Sequence, residues 1–242
     1  MTQEEPQEFE GDLAGAVFWG ADLTGATFRD VNLTGASISH AWLVDVTVDA
    51  LVERVVINGV DVTAFVNEHD PWYPLRGMLR PTTPADMRAT WVAIEAAWAD
   101  TTNQALALPE AALHESVNGE FTFVESIRHV VFATDKWFTA PILGEPLHPM
   151  GLPNRGSLDF PFPGLDLSST PTVAEALAVR ADRVARVRSF LETVTEARFD
   201  ESIDVAENGP HPLMECLYTV FEEEFWHNWY VRRDLEILAA RA

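Results

Sequence analysis

The chain has 242 residues, a formal net charge of -22, seven histidines and a single cysteine, Cys216. That charge argues strongly against gripping a nucleic-acid backbone, the lone cysteine excludes an internal disulfide and fits a reducing cytoplasm, and no apolar run is long enough to span a bilayer. The acidic start Met1-Thr2-Gln3-Glu4-Glu5 does not read as a secretion signal, and the length suits one large domain or two small ones.

The first fifty residues keep a five-residue rhythm. Leu13, Phe18, Leu23, Phe28, Leu33, Ile38, Leu43 and Val48 are evenly spaced, and two positions before each stands a small or β-branched residue, from Gly11 and Ala16 to Ala41 and Val46. Neither a helix nor a two-residue strand alternation gives that period. It predicts a square coil with one five-residue stretch per side, its central apolar residue pointing inward. Asp12, Asp22, Asn32 and the Thr-Gly pairs are placed to turn the corners. Stretches such as Ala21-Asp22-Leu23-Thr24-Gly25 and Val31-Asn32-Leu33-Thr34-Gly35 resemble pentapeptide-repeat proteins, which implies a short β-solenoid over residues 1–57. Eight steps make only about two coils, too few to bury much alone. A structural appendage to a larger domain is the plain expectation. An acidic interaction surface is the sharper one, since longer arrays of this kind can mimic DNA.

An irregular connector is expected over residues 58–82, and from residue 83 to the C-terminus the period is helical. Thr83-Pro84-Ala85-Asp86 opens a helix carrying Met87, Trp91, Ile94 and Trp98. A second helix is predicted from about Thr122 to Ala140, a third from Thr172 to about Val194, and a fourth from Pro212 to about Ala240. Four helices of this length suit a bundle. The connection from Gly144 to Pro171, rich in proline and glycine, is long enough to be functional or mobile.

The fourth helix carries Glu222-Glu223-Glu224-Phe225-Trp226-His227. Residues four apart share a helix face, so Glu223 and His227 can point at one spot, and His129 on the second helix can join them. Two imidazoles and a carboxylate suit one divalent metal, with positions left open for water or a ligand. Zinc comes first, and nickel or iron(II) are compatible. From spacing alone, an exposed Glu223 beside a packed His227 is the bland alternative. Glu222 and Glu224 read as solvated members of the acidic run. Glu125 reads as a first-turn helix charge, or else as an alternative ligand or a partner that orients His129. Cys216 lies on roughly the ligand face and reads as a small core residue, with a thiol-exchange role as the alternative. His148 and Arg155 sit in the long connection, where Arg155 could hold a substrate carboxylate. His40, His69, His114 and His211 read as loop or turn residues. Trp226, Trp229 and Tyr230 read as bundle core and rim.

The phrases Phe123-Val124-Glu125-Ser126-Ile127-Arg128-His129-Val130-Val131-Phe132 and Glu223-Glu224-Phe225-Trp226-His227-Asn228-Trp229-Tyr230-Val231-Arg232-Arg233-Asp234-Leu235 resemble the DinB superfamily of four-helix metalloproteins, as do Gly151-Leu152-Pro153-Asn154 and the arginine-rich third helix. The resemblance covers most of residues 84–240. It implies a mainly α fold, an up-down-down-up four-helix bundle, whose second and fourth helices supply metal ligands. The branch resembling mycothiol-dependent maleylpyruvate isomerase uses His, Glu and His, matching His129, Glu223 and His227. It implies a metal-dependent S-transferase or isomerase that works with a small thiol such as mycothiol on an electrophilic substrate, and a possible homodimer. Where that branch has paired histidines, this chain has His227-Asn228. A hydrolase at the same site, or a non-catalytic metal-binding interaction or stress protein, are the alternative readings.

Overall fold

The computed structural model describes residues 7–29 and 31–241; the N-terminal Met1-Thr2-Gln3-Glu4-Glu5 lies outside them. The chain divides into two compact units, Met1–Ala50 and Leu51–Ala242.

In the first unit the repeat is present as turns. Asp12, Asp22 and Asn32 each accept a hydrogen bond from the backbone N–H two residues on, at 2.9–3.0 Å. Ala16, Ala26 and Ala36 each donate their N–H to the carbonyl three residues back. Between them Gly25, at φ 76°, takes a left-handed conformation that a side chain would strain. The expected β-solenoid does not form. Among the described residues the first unit has no strand, and the two small sheets found among them both lie in the second unit. The eight apolar residues at five-residue spacing are 47–74% exposed instead of facing a core. The physical reason is length. With about two coils no side chain has a layer both above and below it, so the turn chemistry is satisfied locally while the ladder and the buried interior are not.

The second unit opens with a hairpin of β1 (Val56–Ile57) and β2 (Val60–Asp61), then the short helices α1 (Thr63–His69) and α2 (Tyr73–Arg76). Four long helices follow: α3 (Pro84–Leu106), α4 (Phe123–Thr134), α6 (Val173–Leu191) and α7 (Leu213–Arg241), with α5 (Ala140–Leu143) short after α4. Between α4 and α5, residues Asp135–Thr139 make a π-helical turn. A hairpin, β3 (Ser202–Val205) and β4 (Gly209–Pro212), leads into α7.

The helix starts follow from their capping residues. Thr83 caps α3 by accepting the Asp86 N–H. Thr122 with Glu125, and Thr172 with Glu175, form reciprocal capping boxes on α4 and α6. Glu125 is thus the first-turn charge expected of it. Around the bundle α3 packs on α7, α7 on α4, α4 on α6 and α6 on α3. Trp91, Trp98, Ile127, Phe138, Val187, Leu191, Phe221 and Phe225 fill the centre. Both tryptophans find acceptors across the core: Trp91 Nε1 donates to the Val184 carbonyl and Trp98 Nε1 to that of Glu224. The fold is therefore mainly α, around a four-helix-bundle-like core. No helix among the described residues is long and apolar enough to cross a membrane.

Candidate metal centre

The site is built where α4 faces α7. On α4, His129 is a buried member of an almost wholly buried helix. On α7, one helical turn separates Glu223 from His227, and both are half-buried. His129 Nε2 lies 3.3 Å from Glu223 Oε2, and His227 Nε2 lies 3.5 Å from the same oxygen. The three donor atoms fall within 4.8 Å of one another, and the two imidazole centroids are 4.4 Å apart. Side-chain exposure rises from 3% at His129 through 12% at His227 to 28% at Glu223, so the cluster meets solvent on the carboxylate side.

The second nitrogen of His129 decides its chemistry. Nδ1 is 2.9 Å from the carbonyl of Leu152, which can only accept, so Nδ1 carries the hydrogen. Nε2 then turns its lone pair toward Glu223, which is also an acceptor. A neutral imidazole cannot satisfy both contacts; a second proton or a metal cation between Nε2 and Oε2 can. Burial pushes the Glu223 carboxyl up, but the hydrogen bonds and charge of His129 and His227 outweigh it and hold it below the usual carboxylate range. Two imidazole nitrogens and an ionised carboxylate oxygen are a donor set for one divalent ion, and with three protein donors it leaves coordination positions open.

Aromatic rings frame the cluster. Phe121 packs against both imidazoles, with centroids at 5.5 Å from His129 and 6.2 Å from His227. Phe132 flanks His129, and Tyr230 meets His227 edge-on. Phe121 stands just outside the capped start of α4, and the only advance sign of it is an apolar residue before Thr122. The Leu152 contact has no side-chain signature at all, because a backbone carbonyl makes it.

The neighbouring acids differ from expectation. Glu224 is 1% exposed and ion-paired to Arg180, and Arg180 also lies over the Trp98 ring. Glu222 is half-buried and paired with Arg80 at 2.7 Å. Neither is a solvated member of an acidic run, because arginines from elsewhere in the fold neutralise each one. Burial raises the Cys216 thiol to about 11, which leaves it a protonated core residue and not a nucleophile. Asn228 points away from the cluster, its Nδ2 donating to Thr101 Oγ1 at 3.0 Å. His148 is half-buried, and Arg155 is exposed at the head of the turn Arg155–Ser157. His69 closes α1 and stacks on Phe65, and His211 lies on β4 against Trp137, so these two belong to regular elements and not to loops.

The pattern of the DinB superfamily matches residues 93–231, more than half of the chain. The chain belongs to the DinB superfamily. Pentapeptide repeats match residues 12–47 in eight copies, so this DinB-superfamily protein carries a pentapeptide-repeat segment at its N-terminal side. No curated protein and no solved structure matches the chain. In this DinB-superfamily bundle, then, His129, Glu223 and His227 form a largely buried cluster capable of chelating one metal ion.

Proposed function

We propose that this protein is a metal-dependent enzyme whose chemistry is the activation of a small thiol, such as mycothiol, for transfer to or isomerisation of an electrophilic substrate. The observation that carries it is the convergence of three donor atoms within 4.8 Å in a DinB-superfamily bundle, on the one side where the cluster meets solvent. His129, Glu223 and His227 would hold the metal, zinc foremost. A divalent cation there supplies Lewis acidity, which brings a thiol or water toward ionisation near neutral pH.

The chain's own groups fit that use. One carboxylate and two neutral imidazoles leave a divalent ion with a net positive charge, which an anionic sulfur offsets. Phe121, Phe132 and Tyr230 keep water from the imidazole flanks and strengthen electrostatics inside the site. The Leu152 carbonyl holds the His129 proton on Nδ1, so that Nε2 stays free to donate its lone pair. The single buried cysteine suits work in the reducing cytoplasm, where free small thiols are plentiful.

Elemental mass spectrometry of untagged protein tests the site: near-stoichiometric metal is expected, and His227→Ala should lose it. Incubation with mycothiol and a generic electrophile then tests the chemistry. Turnover should fall at least a hundredfold in His129→Ala; unchanged turnover sinks the metal mechanism. Metal-loaded protein that consumes no thiol but cleaves ester or amide bonds would move the reading to a hydrolase.

A further inference from the structure

The segment His148–Ser157 crosses close to α4 and reaches His129 with a backbone atom, the Leu152 carbonyl. Four ties hold that segment down, and all run to the helix that carries His129 or its π-turn extension. Arg128 Nε donates to the Met150 carbonyl at 2.8 Å, and the Leu152 N–H donates to the Arg128 carbonyl at 3.2 Å. Asp135 Oδ2 accepts the His148 N–H at 2.7 Å. Lys136 Nζ donates to Ser157 Oγ at 3.3 Å. Residues 148 and 157 bracket residue 152 on either side.

Asp135 and Lys136, the first two residues of the π turn, are both buried, at 0% and 6% exposure. Each is neutralised by a residue from outside α4. Arg183 of α6 makes a paired contact to Asp135, at 2.8 and 3.2 Å. Glu207, between β3 and β4, pairs with Lys136 and accepts the Ser157 hydroxyl at 2.7 Å. Glu207 does so from φ 74°, a backbone conformation that costs a non-glycine residue energy. Gly151 completes the fit. A Cβ there would sit 3.0 Å from Leu165 Cδ2, 3.2 Å from the His148 carbonyl and 3.3 Å from Phe132 Cβ, so a side chain would press on all three and require the segment or its neighbours to give by a few tenths of an ångström.

We propose that Lys136, Glu207, Ser157 and Gly151 are positioning residues for the metal centre: they seat the Leu152 carbonyl, which sets the ring orientation and tautomer of His129. The inference rests on the metal-site reading above, and it assigns the chain's only lysine to that site at second hand. Only the lysine end of that pair is buried, at 6% side-chain exposure against 24% for Glu207, and an apolar residue of similar size commonly packs such a position as well.

The test uses full-length protein, with zinc affinity from chelator competition and the His129 ring N–H followed by NMR on ¹⁵N-histidine-labelled protein, assigned with His129→Ala. Two variants disturb the bracket by different means: Lys136→Met with Glu207→Gln removes both charges, and Gly151→Ala lifts the segment. We expect a slowly exchanging Nδ1–H in the parent, its loss or shift in both variants, and zinc affinity lower by about ten- to a hundredfold. Folded variants that keep the parent's ring signal and affinity overturn the proposal. Should the double variant fail to fold, Gly151→Ala decides. If the parent takes up no zinc, the functional reading falls, while the ring proton of the metal-free protein still decides whether the bracket orients His129.

Discussion

The two units carry equally plain periodicities and put them to opposite ends. In residues 12–47 a strict five-residue repeat produces regular turns, yet its apolar residues are exposed. In α3, α4, α6 and α7 a looser helical period produces a core in which Trp91, Trp98, Phe221 and Phe225 are all but inaccessible. A repeat specifies local geometry; burial needs a neighbour on every side. Helices obtain that from the others round the bundle, and a coil obtains it only from further coils.

Substitutions can break that contrast. The largest effect should come from Arg180→Ala, which leaves Glu224 buried without its cation; a loss of about 3–5 kcal/mol is expected by urea unfolding. Trp98→Ala should cost a similar ~3–5 kcal/mol by emptying the centre of the core. Cys216 should show itself through pH. Its thiol ionises at about 11 in the folded chain and near 9 when exposed, so the unfolded state loses the proton first. Stability is then unaffected below pH 9 and falls between 9 and 11 by up to about 1.4 kcal/mol per unit. Thermal melts of Cys216→Ala should lack that part of the slope. The same thiol should resist iodoacetamide at pH 8 until denaturant is added. Smallest of all, Phe28→Ala and Leu33→Ala should change stability by no more than about 0.5 kcal/mol. A loss above about 2 kcal/mol at either residue would mean that the repeat segment has a core after all.

What could be read in advance divides along the same physical line. Helix starts at Thr83, Thr122 and Thr172 were legible because capping is a local interaction between residues three apart. Glu223 and His227 were legible because helical spacing alone aligns them, and His129 joined them as a histidine on a second helical stretch, which the family resemblance then supported. The β3–β4 hairpin was not, since Gly209-Pro210-His211-Pro212 has two residues without a backbone N–H and no strand pattern. Nor was the burial of Glu224, which depends on Arg180 forty-four positions away. The solenoid expectation failed for the converse reason, extending a sound local reading to a stacked structure that so few coils cannot complete.

One consequence of the π turn concerns insertions and deletions. A π turn is an α-helix with one residue too many, and its hydrogen bonds reopen and close again without disturbing the helix on either side. Deleting a single residue within Asp135–Thr139 would therefore be absorbed as ordinary α-helix, leaving α4 and His129 in place. It would shift one of the two adjacent charges, Asp135 or Lys136, away from the counterion it now meets, Arg183 or Glu207. Such a one-residue deletion should be well tolerated by the helix and poorly tolerated by the segment that helix holds, so length at this point is more constrained than the composition of the turn suggests.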